Sequence, residues 1–238
     1  MMRPDDKTLA TCPDPAADFA HVDTWVFDLD NTLYPHDANL WEQVDGRITT
    51  WIAGHFGVDG LTARAIQKHY YKKHGTSLRG LMIEENVQPA AFLDFAHDID
   101  HSVLAHDERL DAALGKLPGR KLIFTSGSKK HAENVTRRLG IHGHFETVFD
   151  IVSADYIPKP APGTYDRFLA AHGVDPTRAA MFEDLSRNLE PPHALGMRTV
   201  LVVPGARVIE RDSWELEGGG THVHHVTDDL AGFLHALR

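Results

Sequence analysis

Phe27-Asp28-Leu29-Asp30-Asn31-Thr32-Leu33 sets two carboxylates two residues apart, directly after a short apolar run. If that run is a strand, both acids stand at its C-terminal end, where open α/β sheets bind ligands. Acids so placed can hold a cation, attack an electrophile or pass a proton. A calcium loop does not fit: it wants Asp or Asn where this chain has Thr32, and Gly where it has Leu33. An isolated Asp-x-Asp would be an ordinary polar turn, but the apolar run before it and Asn31-Thr32-Leu33 after it favour a site. Three further groups follow in order. Leu122-Ile123-Phe124-Thr125-Ser126-Gly127 ends in hydroxyls, Lys159 stands between Pro158 and Pro160, and Phe182-Glu183-Asp184-Leu185-Ser186-Arg187-Asn188 carries paired acids. Singly, a threonine at a strand end is usually structural and a lysine between prolines is usually a solvated turn.

The elements that must position these groups can be read from periodicity. Thr24-Trp25-Val26-Phe27 is compact, apolar and bounded by polar residues, as suits a buried parallel strand. Similar runs recur at Lys121–Phe124, Val148–Val152, Ala179–Phe182 and Thr199–Val203. Helical patterns separate them, among them Ser128–Leu139 before Gly140 and Thr164–His172 before Gly173. This alternation predicts an α/β fold with a parallel sheet covered on both faces. Pro191 and Pro192 fit only the first turn of a helix, so the helix after the fourth group starts near Asn188 or later. Residues 36–115 break the rhythm. They show helical spacing over Asn39–Phe56, Leu61–His74, Pro89–His97 and Asp107–Leu117 and almost no strand signal. The expectation is an all-helical domain at 36–115 inserted into a core made of 1–35 and 116–238, with 1–22 a loose leader and Gly218-Gly219-Gly220 a surface loop.

Composition narrows the partners. The 238 residues carry 24 Lys and Arg against 34 Asp and Glu, a formal charge of −10. That balance argues against a basic nucleic-acid face and against an anionic membrane surface. With 42% apolar and 24% charged residues the chain can bury a core. The single cysteine, Cys12, excludes an internal disulfide and reads as a bystander. No apolar run approaches the ~20 residues of a membrane span. The start, Arg3-Pro4-Asp5-Asp6-Lys7, is polar. A cytoplasmic monomer or homodimer is expected.

The four groups, in this order, resemble the motifs of the haloacid dehalogenase-like (HAD) hydrolase superfamily, from the Asp-x-Asp-x-Thr-Leu of Asp28 to Leu33 to the acids Glu183-Asp184. The resemblance covers most of the chain. It implies a Rossmann-like parallel sheet of order 5-4-1-2-3, and a helical cap of the family's first class (subfamily I). It also implies a magnesium-dependent hydrolase of small phosphorylated metabolites. A phosphomonoester is anionic and repels a carboxylate, so attack needs charge neutralisation and in-line positioning. Mg2+ would be held by Asp28, Asp184 and Glu183 with the backbone carbonyl of Asp30. Which acid of the fourth motif binds directly stays open, with Asp184 favoured. Asp28 would attack phosphorus, and Asp30 would protonate the leaving group and then activate water. A neighbouring like charge should raise the Asp30 pKa. Thr125, Ser126 and Gly127 would bind the phosphoryl oxygens and Lys159 would offset developing charge. Asn188 would orient Lys159 or a metal-bound water, or cap a helix. The chain departs from many relatives at Ser126, where they carry Asn, and in having Glu183-Asp184 rather than two aspartates.

Asp30 disfavours a dehalogenase, which typically lacks the second aspartate. A phosphonate hydrolase would need a cap lysine, for which Lys68, Lys72 and Lys73 are available. Arg64, Lys68 and Lys72 form one ridge, read as a solvated face ahead of a cationic rim for an anionic substrate. Thr76 and Arg79, between Gly75 and Gly80, suit a substrate loop. That segment, Tyr34-Pro35, His97-Asp98-Ile99-Asp100 and Leu117-Pro118-Gly119-Arg120-Lys121 resemble the pyrimidine 5'-nucleotidase branch, which implies a nucleoside 5'-monophosphate substrate. Phosphoglycolate, a sugar phosphate or FMN are the alternatives, and a non-catalytic binding protein is the alternative outside enzymes. Tyr34 and Trp41 could stack on a base, although packing between core and cap is the favoured reading. Histidines number 17. His222-Val223-His224-His225 reads as a loop leading to a last strand rather than a zinc site, and His142 and His144 as loop residues.

Overall fold

The computed structural model describes residues 15–205 and 220–237. Cys12, Gly218 and Gly219 lie outside the described residues. In chain order, α1 (Pro15–Asp18) precedes β1 (Thr24–Phe27). The helices α2 (Trp41–Phe56), α3 (Gly60–His74), α4 (Ser77–Glu85), α5 (Pro89–Ala96) and α6 (Glu108–Lys116) then separate β1 from β2 (Arg120–Phe124). The remainder alternates: α7 (Lys129–Leu139), β3 (Thr147–Phe149), α8 (Pro162–His172), β4 (Ala179–Glu183), α9 (Glu190–Ala194), β5 (Arg198–Val202), β6 (His225–Thr227) and α10 (Leu230–Ala236).

Among the described residues the strands form one parallel sheet of order β3-β2-β1-β4-β5-β6. That is the expected 5-4-1-2-3 order read from the other edge, with β6 added beside β5. Alternate side chains leave a strand on opposite faces. Trp25, Phe27, Ile123, Ala180, Phe182 and Val200 therefore join one apolar cluster with α6, α7 and α10. Val26, Leu122, Phe124, Ala179, Met181 and Leu201 join another with Tyr165 and Phe168 of α8. Both faces are covered, which is why these strands read as continuous apolar runs. Phe27 is in register with Ile123 of β2 and Phe182 of β4, and its ring stacks on Phe182 at 4.8 Å. This register brings the residues after Phe27, Phe124 and Phe182 to one edge of the sheet.

β3 ends at Phe149, short of the expected Val152. Asp150 turns the chain: its Oδ2 accepts from Lys129 N (2.9 Å) and its Oδ1 from Ser153 N (2.9 Å) and Oγ (2.7 Å). Helices α2 to α5 build a separate apolar cluster around Ile52, Ala63, Tyr70, Leu81, Phe92 and Ala96. Of the stretch 36–115 expected as the insertion, α6 lies instead with the sheet, where Leu110, Ala113 and Leu114 pack beside Leu230, Ala231 and Leu234 of α10. The segment expected as a substrate loop around Thr76 and Arg79 is the start of α4. Thr76 caps it, its Oγ1 accepting from Arg79 N (3.2 Å). Gly80 sits inside this helix because a Cβ there would meet the Tyr70 side chain at 2.6 Å. No described helix is long and apolar enough to cross a membrane.

Candidate active site

Strand register delivers the charged groups to one place. Asp28 follows β1 directly, Thr125 follows β2, and Glu183 and Asp184 end and follow β4. Lys159 arrives from the loop before α8 and is almost fully buried. Its Nζ donates to Asp28 Oδ1 (2.6 Å), to Glu183 Oε1 (2.7 Å) and to the Phe124 carbonyl (2.9 Å), so all three ammonium donors are used. Thr32 Oγ1 donates to Asp28 Oδ2 at 3.2 Å. Glu183 is saturated further by Asn188 Nδ2 on Oε1 (2.6 Å) and by Leu185 N on Oε2 (2.7 Å). Asn188 therefore braces Glu183, which holds Lys159, and no helix-capping bond comes from its side chain.

Thr125 Oγ1 accepts from Gly127 N at 2.9 Å, which spends that N–H on the turn and leaves the threonine O–H as donor. Asp30 is held through Oδ1 alone: Tyr34 Oη donates to it at 2.7 Å and His131 Nε2 lies 2.8 Å away. Tyr34 packs in the buried apolar cluster, outside the cavity lining, with its hydroxyl on Asp30. His36 Nε2 lies 3.8 Å from Asp184 Oδ2.

Burial gives these carboxyls different fates. It pushes Asp28 up to about 7 against the pull of Lys159, with Glu183 and Asp30 adding to the rise. Burial also opposes charge on Lys159, but Asp28 and Glu183 outweigh it and keep the ammonium protonated. Asp30 was expected to rise. It falls below the ordinary carboxyl value instead, because the charge and hydrogen bond of His131 and the Tyr34 hydroxyl outweigh its burial.

Asp28, Glu183 and Asp184 each offer an oxygen within 4.8 Å of the others, and all three are buried, so they could hold a metal ion. The donor set is all oxygen, which suits a hard divalent cation. Asn188 Oδ1 is buried without a hydrogen-bond partner among the described residues, as a group waiting for bound water would be. Glu183 accepts from Lys159, Asn188 and Leu185 N, whereas Asp28 accepts from Lys159 and Thr32, so Glu183 has less room than Asp28 for a metal ion.

These residues floor a cavity of about 270 Å3. Its walls include Trp41, Val44 and Ile48 of α2, Tyr71 of α3, Phe92 and Leu93 of α5, and Lys68. Asp28, Asp30, Thr125, Ser126, Gly127, Lys159, Glu183, Asp184 and Thr76 line it, whereas Arg79 does not. Arg79 donates instead to the Tyr156 carbonyl at 3.0 Å, tying α4 to the loop before Lys159. Within the Arg64, Lys68 and Lys72 ridge, Arg64 pairs with Asp45, Lys68 faces the cavity and Lys72 is exposed. His222 Nε2 bonds to Ser186 Oγ (2.8 Å) and His224 Nδ1 to Thr199 Oγ1 (2.7 Å).

Sequence reasoning missed the groups that hold Asp30. His131 offers only a weak signal, a histidine at the third position of the helix that follows the hydroxyl motif. Arg187 of the acidic motif was likewise passed over; its Nη2 donates to Tyr71 Oη at 2.5 Å, from core to cap.

Comparison with known proteins finds relatives for the chain and for its fold. The chain is 26% identical over 229 residues to phosphate metabolism protein 8 of Saccharomyces cerevisiae, covering 89% of this chain and 68% of that one. It is 26% identical over 194 residues to fructose-1-phosphate phosphatase YqaB of Escherichia coli, covering 74% and 93%. The crystal structure of CbbY from Rhodobacter sphaeroides in complex with phosphate shares the fold, with a TM-score of 0.58 at 18% identity over 88% of this chain and 95% of that one. The profile of the haloacid dehalogenase-like hydrolases matches residues 22–196. With that profile spanning most of the chain, the protein belongs to the haloacid dehalogenase-like hydrolases, and is a hydrolase.

Proposed function

We propose that the protein hydrolyses small phosphomonoesters through an aspartyl phosphate on Asp28. The observation that carries this reading is the meeting of Asp28, Lys159 and Thr125 with a second carboxyl, Asp30, on the floor of one cavity. Lys159 occupies Asp28 Oδ1, and Oδ2, which accepts from the Thr32 hydroxyl, is the oxygen assigned to in-line attack. Lys159 opposes the burial that favours a protonated Asp28, and balances the phosphoryl oxygens as negative charge develops. The Thr125 hydroxyl and the backbone beside Ser126 and Gly127 orient those oxygens. Asp30 gives a proton to the departing alkoxide and takes one from the water that cleaves the intermediate. When bound, Mg2+ at Asp28 and Asp184, with the Asp30 carbonyl, supplies charge neutralisation. A phosphatase name on the Escherichia coli relative supports the reaction class.

The cavity, about 270 Å3, sits at the lower edge of the ~300–1,000 Å3 of small-molecule sites and suits a metabolite rather than a macromolecule. Trp41 and Phe92 in its wall favour a leaving group with a flat, apolar face, hence a nucleoside 5'-monophosphate of the pyrimidine type. A sugar phosphate is the second reading, favoured by the fructose-1-phosphate phosphatase relative and by the polar set Asp45, Gln67 and Lys68 in the same wall.

The test is phosphate release by the purified protein with Mg2+ from UMP, CMP, AMP, FMN, phosphoglycolate and sugar phosphates. Preference for UMP and CMP is the expected result. Preference for sugar phosphates keeps the chemistry and replaces the substrate class. Release from none, with the fold intact, overturns the phosphatase reading in favour of phosphonate cleavage or of ligand binding alone.

A further inference from the structure

His131 is fully buried, beside the reacting groups yet outside the cavity lining. It stands in the first turn of α7, its backbone N–H donating to the capping Ser128 Oγ at 3.3 Å. Its Nε2 lies 2.8 Å from Asp30 Oδ1, the oxygen that also accepts from Tyr34 Oη at 2.7 Å. A carboxylate oxygen that accepts two donors has no room for a proton of its own. The other oxygen faces the phosphoryl loop. A Cβ built on Gly127 would lie 3.6 Å from Asp30 Oδ2 and 3.3 Å from Thr125 Oγ1, so the two oxygens flank the same small gap.

The imidazole is itself clamped. His97 stacks on it at 4.5 Å with the planes 12° apart, and His97 Nδ1 lies 3.0 Å from Ser128 Oγ. His101 Nε2 lies 3.4 Å from His131 Nδ1. His97 ends α5 and His101 opens the turn that leads from it towards α6, so the chain leaving the cap helices grips the ring from behind. With Asp30 as its acceptor, the ring carries a proton on Nε2.

We propose that His131 is a positioning residue, which together with Tyr34 pins Oδ1 so that Oδ2 is the oxygen turned to the phosphoryl site for proton transfer. The inference rests on the phosphatase reading and deepens it. In the first step the bond from phosphorus to the ester oxygen breaks as Asp28 bonds to phosphorus, and the proton that the like charge of the bound phosphate favours on Oδ2 passes to the departing oxygen to give the alcohol. In the second, Oδ2 takes a proton from the attacking water as its oxygen bonds to phosphorus and the Asp28 carboxylate is released. The proton taken from water replaces the one given to the alcohol, and His131 orients Asp30 without entering the transfer.

The experiment measures kcat and KM for His131→Leu, His131→Gln and Tyr34→Phe on two substrates. One is p-nitrophenyl phosphate, whose leaving group needs no proton; the other is whichever alkyl monophosphate the wild type turns over fastest. His131→Leu is expected to lower kcat for the alkyl ester at least ~30-fold, within the ~10²–10⁴ range of general acid catalysis, with KM within about twofold. On p-nitrophenyl phosphate the first step alone, read as the pre-steady-state burst of p-nitrophenol, should stay within about threefold. His131→Gln, whose amide N–H can reach the Nε2 position, should recover most of the alkyl activity, and Tyr34→Phe should show a smaller loss with the same selectivity. Equal losses in the first step on both substrates, or no loss, overturn the proposal. If His131→Leu does not fold by circular dichroism, the same two outcomes are read from Tyr34→Phe. A wild type inert on both substrates overturns the phosphatase reading beneath it, and is seen before any substitution is made.

Discussion

On the floor of the cavity, Lys159 Nζ lies 2.6 Å from Asp28 and 2.7 Å from Glu183, and all three side chains are buried at strand ends or beside them. In the roof, Trp41, Val44 and Phe92 come from α2 and α5 and offer apolar surface on helices that share an apolar cluster of their own. The floor is held by charges that cannot lose a partner without leaving another stranded, whereas the roof is held by contacts that can be trimmed one at a time. This contrast assigns rate to the floor and affinity to the roof.

Lys159→Met tests the floor most severely. It strands Asp28 and Glu183 without a counter-ion, and removal of one member of a buried ion pair costs about 3–5 kcal/mol. Denaturant unfolding should register that loss, and phosphate release should fall at least ~100-fold. The stability loss should be largest above neutral pH, because the buried carboxyls can take up a proton below it. A stable, active Lys159→Met would break the contrast.

Trp41→Ala tests the roof. KM should rise roughly tenfold with kcat within about threefold, the pattern of lost uniform binding. A fall in kcat with KM unchanged would instead assign the roof a part in the chemistry.

A smaller effect joins the two regions at His97, whose ring lines the cavity and is held neutral down to about 3, chiefly by burial and then by the charge of His131. Between about 3 and the ordinary 6.5 the unfolded chain binds a proton that the folded chain refuses, so stability falls as pH falls through this window. The loss should reach about 2 kcal/mol by about pH 5. Thermal unfolding against pH should show a shallower acid slope in His97→Leu than in the wild type, and parallel slopes would contradict the assignment.

The same contrast explains what could be read in advance. Asp28, Thr125, Lys159 and Asp184 were legible because β1, β2 and β4 announce themselves as apolar runs and their parallel register aligns their ends. Geometry follows from periodicity there. The roof follows from packing between helices, which periodicity does not encode. Helix α4 was read as a loop because Thr76, Ser77 and Gly80 are weak helix formers in isolation, and close packing on Tyr70 overrides them. Leu110, Ala113 and Leu114 mark α6 as amphipathic but do not say that its partner is α10. His131 reaches Asp30 across 101 positions, and nothing in a single histidine on a helix announces that contact.

The central claim is that Asp28 is the nucleophile, and the most direct measurement is phosphate release by Asp28→Asn with Mg2+, on p-nitrophenyl phosphate and on the best natural ester, with the fold checked by circular dichroism. The account predicts a loss of more than ~10³-fold on both substrates in a folded protein. Turnover within about tenfold of the wild type would contradict it.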